Sequence, residues 1–281
     1  MSDIGDAGVE PEFLAQALAV AESGARAAGE IIVRYHQTGV VMRSKESFNL
    51  VSDADIEAEA AVVEVIREAF PGHEILAEEG HYADGNAEDL WVIDPLDGTN
   101  NFAHKVPHFS VSVAYCKRGR PMVGVVFNPV TGDWYTARRG QGAFANGLRA
   151  SVGAQGKLSE ALVGFGFYYD RGPMMVATLA AIADFFRNDI HGVRRMGCAS
   201  LDLCWVGSGR YGIFFEHKLS PWDFAAGALF VEEAGGMIST CGGEALPMAP
   251  TSVLASNGNL HQAALAITRR HLAPGVSGES V

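Results

Sequence analysis

The stretch Trp91-Val92-Ile93-Asp94-Pro95-Leu96-Asp97-Gly98-Thr99-Asn100-Asn101-Phe102 decides how the rest of the chain is read. Trp91, Val92 and Ile93 suit a buried strand, and Pro95 fixes the backbone between two carboxylates, Asp94 and Asp97, spaced i and i+3. The expectation is a strand that ends in a turn. Hard cations such as Mg²⁺ take oxygen ligands, so a turn that aims two carboxylates and one backbone carbonyl at a common point makes half of a cation site. Directly afterwards, Gly98-Thr99-Asn100-Asn101 can open a helix whose unpaired N–H groups and positive dipole end receive an anion. The same letters also suit an Asp-Pro surface turn with Thr99 and the two asparagines as ordinary caps. Distant partners have to separate the two readings.

Upstream, Glu74-Ile75-Leu76-Ala77 reads as a short strand that runs into Glu78-Glu79-Gly80. Two adjacent acids there are equally ordinary as solvated residues. Ser52-Asp53-Ala54-Asp55 carries an N-cap signature, and Ile56, Ala60, Val63, Ile66 and Phe70 continue a helical stripe that Pro71-Gly72 stops. Asp55 in the first turn is favourable to the helix dipole, which by itself explains the acid. A polar link containing Arg43 and Lys45 precedes it. Before that link, Leu14, Ala17, Leu18, Ala21, Ala25, Ala28, Ile32 and Tyr35 recur at helical spacing, after a loose leader over residues 1–10.

Downstream, Phe109, Val111, Val113 and Tyr115 alternate as a strand, and further strands follow at Met122 to Phe127 and Asp133 to Ala137. Asn146-Gly147 is a strong hairpin signal. Beyond about residue 155 the pattern alternates between strand-like and helix-like runs: Leu162 to Phe167, Met174 to Phe186, Gly192 to Arg195, Ala199 to Val206 and Gly212 to Phe215. Helices over Trp222 to Ala234 and His261 to His271 enclose a short strand at Val253-Leu254-Ala255. The expected organisation is an α+β half over residues 1–155, with two N-terminal helices, an antiparallel sheet and the metal-binding turn. An α/β half over 156–272 completes the site, and 273–281 is a flexible tail.

The chain has 281 residues, 48% hydrophobic and 19% charged, enough for a sizeable core and against wholesale disorder. No apolar run reaches the roughly 18 residues of a membrane span. The acidic start Met1-Ser2-Asp3-Ile4-Gly5-Asp6 is no secretory signal, so a cytoplasmic protein is expected, with no membrane partner. A net charge of −12, from 33 acidic and 21 basic residues, speaks against a nucleic-acid surface. It would also repel a phosphorylated substrate unless bound cations reverse the local sign. Cys116, Cys198, Cys204 and Cys241 form no CxxC pair and read as buried thiols. His104, His108 and His217 lack zinc-ligand spacing, and the oxygen-rich surroundings do not suit zinc.

In the second half, Leu219-Ser220-Pro221-Trp222-Asp223-Phe224-Ala225-Ala226-Gly227 sets another acid at a helix start, where a routine cap would serve equally well. The combination decides between the readings. With Asp55, Glu78-Glu79-Gly80, the Asp94 to Phe102 stretch, Trp222 to Gly227 and Glu233-Ala234-Gly235-Gly236 all present, the sequence resembles the inositol monophosphatase family. That family belongs to the Mg²⁺-dependent, lithium-sensitive sugar phosphatases. The likeness runs from about Leu14 to His271.

The resemblance implies a layered αβαβα sandwich, of the type shared with fructose bisphosphatases, and hydrolysis of small polyol or sugar phosphate monoesters. Myo-inositol 1-phosphate is the most typical substrate. Histidinol phosphate and fructose 1,6-bisphosphate are alternatives on the same fold, and a regulatory scaffold that binds a transcription partner is an alternative of another class. The resemblance assigns Glu78, Asp94 and the Leu96 carbonyl to a first Mg²⁺, and Asp94, Asp97 and Asp223 to a second. Glu79 is a candidate for a third ion, and Mn²⁺ can substitute. Glu78 and Thr99 would activate water, with Asp55 behind Thr99. Gly98 and Thr99 would face the phosphate, and Ala199, Glu216 and Asp223 the substrate hydroxyls. Two cations roughly 3.5–4 Å apart suit in-line attack on a phosphate ester. Tyr168-Tyr169-Asp170 and Arg194-Arg195 are candidates for shaping specificity, and a homodimer is the usual state of such proteins.

Overall fold

The computed structural model describes residues 10–39, 43–46, 49–51, 53–167 and 170–272. Residues 1–9 of the expected leader, Ser52 of the anticipated cap, the Tyr168-Tyr169 pair and the 273–281 tail lie outside the described residues.

Helix α1 (Pro11–Thr38) starts on a proline, whose missing N–H costs nothing in the first turn, and buries Leu14, Ala17, Ala21, Ala25, Ala28 and Ile32 on one face. The segment read as a polar link is a two-stranded antiparallel ribbon, β1 (Arg43–Glu46) with β2 (Asn49–Val51). Strands of four and three residues are too short for alternation to be detected. Helix α2 (Asp53–Ala69) follows and lies along α1.

A seven-stranded sheet comes next, built from β3 (Glu74–Ala77), β4 (Asp89–Asp97), β5 (Ser110–Lys117), β6 (Arg120–Asn128), β7 (Asp133–Arg138), β8 (Gly142–Ala145) and β9 (Leu148–Arg149) in sequence order. The pair β3–β4 is parallel and every other pair is antiparallel. The short helix α3 (Thr99–Ala103) sits between β4 and β5. Asn146 and Gly147, both with positive φ (50° and 77°), make the anticipated tight hairpin between β8 and β9.

One detail of β4 differs from the sequence reading. The strand does not stop before Asp94 but runs through Asp97, and its register against β5 shifts between those two residues. In a regular strand, positions three apart face opposite sides of the sheet. The irregularity at Pro95-Leu96, where Pro95 has no N–H to give to a ladder, adds the offset that lets both acids reach one place.

The second sheet has five strands in the order β11-β10-β12-β14-β13. Its elements run β10 (Leu162–Phe165), α4 (Pro173–Phe186), β11 (Gly192–Arg194), α5 (Ala199–Gly207), β12 (Ile213–Leu219), α6 (Pro221–Glu233), β13 (Met237–Ser239), β14 (Thr251–Ser256) and α7 (His261–Arg270). Strands β11, β10 and β12 are parallel, as the alternating pattern predicts, whereas β14 and β13 join antiparallel.

Four apolar clusters stack these elements into five layers. Trp91, Ile93, Val111 and Val125 meet α1 and α2 on one face of the large sheet. Leu90, Val92, Ala114 and Val126 on its other face meet Leu201, Ala225 and Leu229 of α5 and α6. The far side of α5 and α6, with Leu203, Phe224 and Val231, packs on Phe214, Val253 and Ala255 of the smaller sheet. Val163, Ile213 and Phe215 then meet Phe185 of α4 and Leu265 of α7. The order is αβαβα. All four cysteines are buried free thiols. Among the described residues, no helix is long and apolar enough to cross a membrane.

The central layer is set by a close approach. A Cβ at Gly124 of β6 would stand 2.8 Å from the Ala226 carbonyl oxygen and 3.0 Å from its Cα, and neither backbone can give. Gly124→Ala is therefore expected to cost about 1–3 kcal/mol, the usual penalty for overpacking. Urea unfolding measures it, and an unchanged midpoint would mean the layer spacing is not fixed at this point.

Candidate functional site

Asp94, Asp97 and Asp223 each present a carboxylate oxygen, and the three atoms lie within 4.8 Å of one another. Two come from the end of β4 and one from the first turn of α6, so residues far apart in sequence meet at the junction of both sheets. Each carboxylate is held from behind. Asp94 Oδ1 accepts the Leu96 N–H at 2.9 Å. Asp97 Oδ2 accepts the Ser200 N–H at 2.8 Å, the Ser200 hydroxyl at 2.6 Å and the Cys198 thiol at 3.2 Å. Asp223 Oδ2 accepts the Ser220 N–H at 2.7 Å, within a capping box of Ser220 and Asp223. The acid at the start of α6 is thus a cap and a member of the trio at once.

Burial raises all three carboxyls above the ordinary range. Glu78, Asp97 and Asp223 add to the effect at Asp94, hydrogen bonds from Ser200 oppose it at Asp97, and Asp97 and Glu78 add to it at Asp223. Like charges crowded in a low dielectric form the donor set that a hard divalent cation neutralises, so these residues fit such an ion. Glu78 follows β3 directly. The parallel register Ala77↔Ile93 sets it beside Asp94, and it lines the same cleft. Glu79 does not line the cleft; its backbone N–H donates to Glu59 Oε2 at 2.7 Å.

The corner after β4 is tightly built. Gly98 caps α3 with φ 93°, a conformation that favours glycine, and a Cβ there would stand 3.1 Å from the His108 carbonyl oxygen. Asn101 Nδ2 donates to the carbonyls of His108 (2.6 Å) and Met196 (2.8 Å), which ties α3 to the loop entering α5. The Thr99 hydroxyl stands 3.1 Å from the Leu96 carbonyl and 3.5 Å from Asp55 Oδ1. Its shorter contact is therefore with the very carbonyl that the family resemblance gives to a metal, and buried Asp55 stands behind it.

A cleft of about 610 Å³ extends from this corner past Ala199 to Glu216. Glu216 is only 8% exposed, and burial, then Asp223, push its carboxyl well up, while Arg195 opposes them. Room for it exists because residue 166 is glycine: a Cβ there would fall 1.6 Å from Glu216 Oε2. Gly166 is a supporting residue that the sequence does not reveal. Cys198-Ala199-Ser200 reads from the sequence as one pocket-lining segment, whereas the Ser200 bond to Asp97 spans 103 positions and is visible only in the fold.

The three histidines stand in three different settings. His104 caps α3 and is exposed, and His108 packs on Trp205, 3.8 Å from Asp202. His217 is 1% exposed on β12, and burial, helped by His271, lowers its pKa to about 4. It is neutral in the fold, while the unfolded chain takes up a proton near pH 6.5. Its contribution to stability is therefore whole above that pH and shrinks as the pH falls towards 4, by about 3 kcal/mol at most. His217→Leu should flatten the acid slope of Tm over this window. Parallel slopes for the two proteins would exclude His217 as its source.

Comparison with known proteins bears on this geometry. The inositol monophosphatase family matches residues 14–273. The Nus factor SuhB of Pseudomonas aeruginosa is 41% identical over 265 residues, covering 92% of this chain and 97% of the relative. The inositol monophosphatase of Anabaena (Nostoc) sp. PCC 7120 superposes with a TM-score of 0.82 at 36% identity, covering 95% of this chain and 100% of that one. An IMPase/NADP phosphatase solved with Mg²⁺ and phosphate superposes with a TM-score of 0.81 at 28% identity, covering 91% and 95%.

Proposed function

The chain belongs to the inositol monophosphatase family, and on that premise we propose that it is a Mg²⁺-dependent phosphatase of small polyol or sugar phosphate monoesters, with myo-inositol 1-phosphate as type substrate. One observation carries the reading: Asp94, Asp97 and Asp223 converge within 4.8 Å although Asp223 is far from the other two in sequence. A scaffold has no need of such crowding, which costs stability until a cation relieves it.

In this reading Glu78, Asp94, Asp97, Asp223 and the Leu96 carbonyl would hold the metal. Bound divalent cations there neutralise phosphate oxygens and lower the pKa of a water molecule. The chain's own groups do the rest. The Thr99 hydroxyl and the Glu78 carboxylate would orient the attacking water, the Glu78 carboxylate would accept its single transferred proton, and Asp55 would restrain Thr99 from behind. The backbone N–H groups of Gly98 and Thr99 face the phosphate. Ala199, through its backbone, Glu216 and Asp223 take the substrate hydroxyls. No side chain needs to form a covalent phosphoenzyme. The comparison with a relative solved with Mg²⁺ and phosphate supports the choice of ion.

The test is phosphate release from myo-inositol 1-phosphate with saturating Mg²⁺, abolished by EDTA and restored by Mg²⁺ or Mn²⁺. Folded protein that releases phosphate from no polyol or sugar monophosphate would end this reading. A second reading, a regulatory protein with a transcription partner, draws support from the name of the SuhB relative. The two are separable by a variant that loses turnover and keeps its surface.

A further inference from the structure

Helix α2 buries two acids, Asp55 and Glu59, on one face, since positions i and i+4 lie one above the other along a helix. Asp55 stands behind Thr99. Glu59 touches none of the groups assigned to the reaction, yet it is only 3% exposed, and a carboxylate leaves water at that depth only where other donors replace its hydration. One loop supplies both donors. Oε2 accepts the Glu79 N–H at 2.7 Å, and Oε1 stands 2.9 Å from His81 Nδ1.

That loop carries Glu78. It leaves β3 at Ala77, which the parallel register sets opposite Ile93 of β4, and the Ala77 N–H donates to the His81 carbonyl at 2.7 Å, closing the loop over Glu78, Glu79 and Gly80. The N–H that Glu59 grips belongs to the peptide unit joining Glu78 to Glu79. Fixing that plane fixes ψ of Glu78, and with it the direction in which the side chain leaves the backbone. The restraint has a load to bear, because the Glu78 charge acts unfavourably on both Asp94 and Asp223. An untied loop would relax by carrying Glu78 away from them, and an arriving cation would have to draw it back.

Resting on the phosphatase reading above, we propose that Glu59, braced by His81, is a positioning residue for Glu78. It holds the Glu78 carboxylate beside Asp94 before any ion binds, as Asp55 restrains Thr99. Two acids one turn apart on α2 thereby set the two water-orienting groups, Thr99 and Glu78, in a single frame.

The test is titration calorimetry with Mg²⁺ alone, with melts of the metal-free proteins and phosphate release from myo-inositol 1-phosphate beside it. Glu59→Ala is expected to weaken Mg²⁺ binding by about tenfold to a hundredfold, the usual effect of losing a group that orients a ligand. At saturating Mg²⁺ its kcat should fall while KM holds. Glu59→Gln keeps the shape and one oxygen for the Glu79 N–H, and should recover Mg²⁺ affinity to within about threefold of wild type. His81→Ala, at a side chain about one-third exposed, removes only the brace and should weaken Mg²⁺ by about threefold; it decides the matter if Glu59→Ala does not fold. A purely structural Glu59 would lower the metal-free Tm and leave Mg²⁺ affinity alone. Wild-type Mg²⁺ affinity in folded Glu59→Ala or in His81→Ala, or a Glu59→Gln as weak as Glu59→Ala, overturns the inference and leaves the phosphatase reading standing. Wild-type protein that neither binds Mg²⁺ nor releases phosphate overturns both.

Discussion

Asp97→Asn is expected to abolish phosphate release, by at least about a thousandfold in kcat, in a protein that still folds. The reason lies in how Asp97 is held. One of its oxygens, Oδ2, is already saturated by three donors from Cys198 and Ser200. An asparagine must keep its carbonyl oxygen towards those donors, and its NH₂ group then points at the other acids, where a metal ligand is required. The same swap removes one like charge from a buried trio. In metal-free protein it should raise Tm, by about 2–4 °C for each kcal/mol of repulsion relieved. The stabilisation that Mg²⁺ gives the wild type should disappear. Phosphatase assays with thermal melts, with and without Mg²⁺, read both effects. Full activity in this variant would mean the site lies elsewhere. If a transcription partner binds wild type and variant alike, that binding does not depend on turnover.

Gly166→Ala should separate activity from stability in a different way. The added Cβ would meet the Glu216 carboxylate, at 1.6 Å from Oε2 and 2.1 Å from Cδ. That group is the far end of a flexible side chain, so it swings aside and the fold loses little, within about 1 kcal/mol. The displaced carboxylate can no longer meet a substrate hydroxyl. The expected loss in kcat/KM is about tenfold to a hundredfold, most of it in KM. Glu216→Gln should reproduce the direction of the change, since an amide keeps the shape but accepts more weakly. A Gly166→Ala enzyme with wild-type kcat/KM would remove Glu216 from the hydroxyl-binding role. A large fall in Tm would show instead that the glycine serves packing, as Gly124 does.

The two variants illustrate how differently the parts of this molecule can be read. The Asp94 to Phe102 stretch shows its acids, its proline and its glycine directly, and Pro71-Gly72 and Asn146-Gly147 announce local turns that the fold obeys. What was misread at β4 was the backbone path. The acids were expected in a turn after the strand, and they sit on the strand at a register irregularity. The β1–β2 ribbon leaves no mark in the sequence because its strands have only four and three residues. The antiparallel ending of the smaller sheet was missed because strand direction depends on pairing partners, and an alternating pattern of elements does not name those.

The sequence by itself determined most of the element types and which acids were candidates, since helix stripes, strand alternation and turn residues act over a few neighbouring positions; the layered class of the fold came with the family resemblance. Tertiary structure alone decided which acids meet, because the Asp97–Ser200 bond spans 103 positions and no local period extends so far. It likewise decided that Gly166 makes room for Glu216 and that Arg195 faces the same cleft. Such arrangements follow from the packing of two sheets around α5 and α6, where through-space distance replaces order along the chain.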